Sequence, residues 1–98
     1  MTNIVGKTPT HTSTTVSNVS SQVLGISANG VRRAVVLIND SDTDIYYSFG
    51  VPAVVGSGMR INANGGSILL DNNVVPFCAI NAIVSSGSKN LLVTEFTA

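Results

Sequence analysis

The chain has 98 residues, 44% of them hydrophobic and only 10% charged, with five basic and five acidic side chains and no formal net charge. That length fits one domain, and scattered basic residues without a stripe disfavour nucleic acid, whose phosphates need clustered Lys and Arg. Against roughly 25% charge in an average soluble domain, such a surface is either Ser, Thr, Asn and Gly or apolar and covered, which favours an oligomer or assembly component over a monomer.

Residues 1–21 form a Ser/Thr-rich N-terminal arm that carries Pro9, His11 and isolated valines. It buries too little apolar surface to offset its own ordering entropy. Two readings stand beside each other: a frayed terminus, or an arm that orders as an added strand against a neighbouring subunit, with Val16 and Val19 as anchors. A short strand within 13–19 is compatible with either. The opening Met1-Thr-Asn-Ile-Val-Gly-Lys7 is polar and no apolar run approaches ~18 residues, so neither a signal peptide nor a membrane span is expected. The expected setting is a cytoplasm, or a particle assembled there.

Residues 22–98 read as a β-sandwich domain. β-prone runs alternate with turn signals every ~8–12 residues, which predicts strands over 22–27, 32–39, 44–49, 58–62, 66–70, 77–84 and 90–96. The run Arg33-Ala-Val-Val-Leu-Ile-Asn39, its Asp/Ser/Thr turn and Ile45-Tyr-Tyr-Ser-Phe49 give the plainest strand–turn–strand signal. The strand over 32–39 is apolar on both faces from Ala34 to Ile38, as in a central strand covered twice. Ile26-Ser-Ala-Asn-Gly30 and Ile61-Asn-Ala-Asn-Gly65 repeat one form, and Asn-Gly suits the positive φ angles of a type I′ turn. No three-turn window escapes Gly, Pro or a β-branched run, so no sizeable helix is expected. The fold class is all-β: a small antiparallel sandwich of about seven or eight short strands.

Reactive chemistry is sparse. Cys78 is the only cysteine, which excludes an internal disulfide, and within Phe77-Cys78-Ala79-Ile80 it reads as buried filler. His11, the only histidine, lies in the arm, where fixed geometry with a nucleophile is hard to hold. Glu95 and the aspartates offer no poised acid and base, so no catalytic residue, metal ligand or cofactor is assigned and an enzyme is not expected. Asp40-Ser-Asp42-Thr-Asp44 begins like a calcium loop, but Ile45 and Val51 stand where Gly and Glu are needed, and a solvated hairpin tip whose carboxylates cap backbone amides is the better reading. Gly56 and Gly58 precede a strand, not the helix that a phosphate loop requires. Tyr46 and Phe96 are the aromatic residues placed for an interface; Tyr47 and Phe49 are most simply core.

Read in order, Arg33-x-x-Val-Leu-Ile-Asn39, Ile45-Tyr-Tyr, Gly50, Gly58, Ile61, Ile68-Leu-Leu70, Phe77-x-Ala-Ile80 and Leu92-Val-Thr-Glu95 resemble small β-sandwich structural proteins of tailed bacteriophages. The resemblance spans about residues 31 to 96 and runs to head decoration (cement) proteins and the bases of head fibres. It implies a jelly-roll-like homotrimer on the capsid exterior of the virion, bound to the major capsid protein and stabilising the shell. Similar modules occur in phage tail or fibre components, where a glycan or receptor would be bound instead. Val16, Val19, Tyr46 and Phe96 are the expected interface residues.

Overall fold

The β-branched runs become strands close to where the sequence places them. The computed structural model describes residues 7–27, 30–71 and 75–98. Its strands are β1 (Thr8–Ser17), β2 (Ser21–Leu24), β3 (Arg32–Asn39), β4 (Ile45–Phe49), β5 (Met59–Ile61), β6 (Ser67–Leu70), β7 (Ile80–Ile83) and β8 (Ser88–Thr97). No helix occurs among the described residues. Two four-stranded antiparallel sheets result: sheet A in the order β1-β8-β3-β6 and sheet B in the order β2-β7-β4-β5. This is jelly-roll topology, with the chain crossing between sheets at every connection except β4–β5.

Alternate residues face inward and meet in one core. Val16 from β1, Val35 and Leu37 from β3, and Leu91 and Val93 from β8 pack against Ile45 and Tyr47 from β4 and Ile80 from β7. Burial pushes the Tyr47 phenol above its ordinary pKa.

Three expectations change. Residues 8–17 are not a loose arm: β1 pairs with β8 over its full length, from Thr8 opposite Thr97 to Ser17 opposite Ser88. Ten ladder positions supply the ordering that the apolar content cannot. The Asp40–Asp44 turn does not close a hairpin, because β3 belongs to sheet A and β4 to sheet B. It is a corner between layers. The Asn-Gly turn after β5 likewise joins β5 in sheet B to β6 in sheet A, with φ of 62° at Asn64 and 92° at Gly65. Its echo falls partly on residues 28 and 29, outside the described residues.

Each end of the sandwich is tied by one buried polar side chain. At the end where β1 starts and β8 finishes, Arg32 is 1% exposed. Its Nε donates to Glu95 Oε2 at 2.7 Å, Nη1 donates to the Pro76 and Cys78 carbonyls at 2.8 and 3.1 Å, and Nη2 donates to the Gly25 carbonyl. The register shift between Arg32 and Ala34 re-aims the side chain beneath these loops. At the other end Asn39 is fully buried. Its Nδ2 donates to the Thr43 and Ile61 carbonyls at 2.8 and 2.9 Å, and its Oδ1 accepts from Ser41 Oγ at 2.6 Å. That joins the β3–β4 corner to the end of β5.

Candidate assembly surface

The alternation that fills the core fixes what sheet A shows to solvent. Leu91 and Val93 face inward, so Leu92, Thr94 and Phe96 of β8 face out; Val35 and Leu37 face inward, so Val36 and Ile38 of β3 face out. Register sets Val36 beside Thr94 and Ile38 beside Leu92. On β6, Leu70 is buried and Leu69, opposite Val36, is 54% exposed. On β1, His11 and Ser13 stand opposite Thr94 and Leu92. The outer face is therefore an apolar strip edged by hydroxyls and one imidazole, with no charged side chain among these residues.

His11 Nδ1 lies 2.8 Å from Thr94 Oγ1, and Ser13 Oγ donates to Asn90 Oδ1 at 2.6 Å. Between them runs an open groove of about 460 Å³, walled by His11, Ser13, Ile38, Leu92 and Thr94. Sheet B is different. Asn81 Nδ2 donates to the Val51 carbonyl, and Ala53 N–H donates to Ser20 Oγ, each at 2.8 Å. These bonds lay residues 51–53 against the outer side of β7 and β2. Among the described residues, one outer face has a roof and the other does not.

The sheet edges differ as sharply. β2, β5 and β6 have four, three and four residues; β2 carries a register shift and β5 carries Arg60. Shortness, bulges and charge all hinder pairing with another chain. β1 has ten residues and no Lys, Arg, Asp or Glu. Its far side has no neighbouring strand among the described residues.

The expected interface residues do not converge. Val16 is wholly buried in this chain's own core and is unavailable to a neighbour; Val19, 69% exposed, lies in the β1–β2 turn. Tyr46 stands on the outer side of sheet B beside Arg60 and Ile83. Phe96 lies on the outer face of sheet A, flanked by Pro9 and Ala34. The residues missed are Val36, Ile38, Leu69 and Leu92. Their signal was the apolar character on both faces of β3, expected to be covered twice, and of the runs Ile68-Leu69-Leu70 and Leu91-Leu92-Val93.

Other placements bear on chemistry. Cys78 is exposed rather than filler, because β7 begins only at Ile80 and the bonds to Arg32 hold Cys78 in a loop. His11 and Glu95 lie on opposite faces of sheet A, since Glu95 turns to Arg32 and its neighbour Thr94 meets His11. The three carboxylates of the acidic corner are separately engaged. Asp40 accepts from Asn90 Nδ2 at 3.1 Å, Asp42 pairs with Lys89 Nζ at 2.8 Å, and Asp44 accepts from Ala63 N–H at 2.9 Å. The Lys89 hydrogen bond, more than its charge alone, holds the Asp42 carboxyl below the ordinary aspartate range.

No protein-family model and no curated protein matches the chain. Solved structures do. One comes from work showing that Bacillus endospore appendages form a novel family of disulfide-linked pili, with a TM-score of 0.59 and 10% identity, covering 93% of this chain and 86% of that one. Another is PirA, with a TM-score of 0.51 and 17% identity, covering 88% of this chain and 92% of that one. At such identities the likeness shows the fold. It also corrects the function expected above: the likeness runs to an endospore appendage pilus and to PirA, neither described as a phage capsid, tail or fibre protein. The physical reason is that the quoted residues are strand alternation with Gly and Asn punctuation. Those specify a jelly roll, which hosts many unrelated jobs.

Proposed function

We propose that this protein is a structural subunit of an extended appendage, built non-covalently from copies of itself, with no reaction to perform. The open edge of β1 carries this reading. A long, uncharged strand with an open edge is a template for adding another strand, and this one, with Pro9 near its start, lacks the register shift and the charge that blunt the two edges of sheet B. A filament needs one surface to meet a different one, since a patch that meets its own copy closes into a pair. β6, the opposite edge of sheet A, is short but carries no charge and no register shift, and its four residues supply the second surface. Adding β1 of one copy to β6 of the next continues sheet A without end.

The likeness to the endospore appendage pili supports this reading. Those pili are disulfide-linked, whereas the 98 residues here hold one cysteine. A single thiol joins two chains and cannot continue a polymer, so the ladder must carry the assembly. The decisive measurement is electron microscopy with sedimentation of the purified protein. Wild type is expected as filaments; Thr10→Lys with Thr12→Lys is expected to give short or single particles with an unchanged melting profile. Lysine-edged protein that still polymerises to wild-type length would remove β1 from the assembly.

A further inference from the structure

Resting on the assembly reading but using a different surface, we infer that the outer face of sheet A packs face to face on the same face of a second copy, pairing subunits about a twofold axis parallel to the strands.

The occupant follows from area, charge and register. Four strands ~4.8 Å apart, rising ~3.4 Å per residue, give this face about 500 Å² in plane. Two such faces together reach about 1,000 Å², where specific interfaces begin. Val36, Ile38, Leu69, Leu92 and Phe96 bring no charge to it, so two copies do not repel, and packed sheets sit about 10 Å apart with interdigitating side chains. Sheet B cannot do the same, because residues 51–53 already lie on it. The contact therefore closes as a pair.

Register then selects the orientation. Leu69, Val36, Thr94 and His11 form one row across the face, from β6 through β3 and β8 to β1. Rotation by half a turn about an axis along the strands keeps each row level and exchanges left for right. β6 of one copy then lies over β1 of the other. Leu69, the most exposed apolar side chain of the face at 54%, enters the groove beside His11 and Leu92 of the second copy. Each copy gives one knob and one groove. β3 gains the second cover that its two apolar faces call for, and stacking joins filaments in pairs.

The test uses the full chain in a Cys78→Ser background. Leu69→Cys with His11→Cys is expected to give covalent dimers with a short bismaleimide, which spans thiols on sheets about 10 Å apart where a disulfide does not reach. Within one chain these positions are three strand spacings apart, about 14 Å, and a bridge there would leave the mass that of a monomer. Leu69→Lys is expected to weaken pairing at least about tenfold by sedimentation, with its circular dichroism melt unchanged. Pairing that withstands Leu69→Lys, with no cross-link, overturns the inference. The two surfaces separate cleanly. Single, unpaired wild-type filaments keep the β1 reading and sink this one. Cross-linked pairs in protein that never forms filaments keep this one and sink the β1 reading. A wild type monomeric at every concentration sinks both.

Discussion

Arg32 and Asn39 are the polar side chains buried among the described residues, and each closes one end of the sandwich. Burying a guanidinium is unfavourable unless its donors are matched, and here they are matched by one carboxylate and three carbonyls from two loops. Arg32→Ala leaves the Glu95 carboxylate, 22% exposed, without its partner and the three carbonyls without donors. The expected loss is about 3 kcal/mol or more by urea denaturation. Arg32→Lys restores part of it, because an ammonium cannot reach carbonyls set out for a planar fork. Asp42 gives a pH signature of opposite exposure. Its folded pKa lies below the ordinary value of 3.8, so its contribution is complete above that value and is lost as pH falls through the folded pKa. A carbon-detected titration should place the Asp42 midpoint below 3.8, and Lys89→Met should move it upward. An unmoved midpoint would show that the Lys89 contact is not made in solution. At 75% exposure of Asp42, added salt should shrink the shift.

Among elements, the corners decide the topology. β3 and β4 leave the Asp40–Asp44 turn in different sheets because Asn39, Ser41 and Asp44 reach across to the β5–β6 corner. Asn64 N–H donates to the Ser41 carbonyl at 2.7 Å, and Gly65 N–H donates to the Asn39 carbonyl at 2.9 Å. Gly66 completes this joint, its carbonyl accepting from Asn39 N–H at 2.8 Å. A Cβ on Gly66 would sit 2.2 Å from the Asn62 carbonyl oxygen. Gly66→Ala must therefore push two backbone segments apart, an expected cost of about 1–3 kcal/mol measured as a lower urea midpoint with unchanged slope. Gly56→Ala makes a useful contrast: nothing lies within 4 Å of the new methyl, so only its φ of 78° is strained. β1 is the element whose behaviour runs furthest from its composition. Thr, Ser and Pro leave it nearly without apolar anchors, and pairing with β8 holds it while leaving its other side open.

For the whole molecule, assembly should be indifferent to reductant, since one exposed thiol cannot carry a polymer. Cys78→Ser and wild-type protein in dithiothreitol should show the same filament length by light scattering; dissolution by reductant would make the linkage covalent. The positions of β2 to β8, their apolar inner faces and the lack of helix among the described residues were legible in the sequence, whereas β1 was not. Each is set by local stereochemistry: β-branched side chains prefer a pleated surface, and alternation with a period of two marks which side is buried. What the sequence could not order was which strands share a sheet. The turns after β3 and β5 have ordinary hairpin chemistry, and only the buried Asn39 and the ladders that β8 makes with β1 and β3 divert the chain between layers. The same limit hid the surface. Val36, Ile38, Leu69 and Leu92 come from three separated stretches and become one face only when β8 and β6 flank β3. A two-layer sandwich covers one side of each sheet. The sequence by itself determined that β3 is apolar on both sides, and the tertiary arrangement decided which of those sides lies outside the core, because long-range pairing, not local preference, selects the neighbours of a strand.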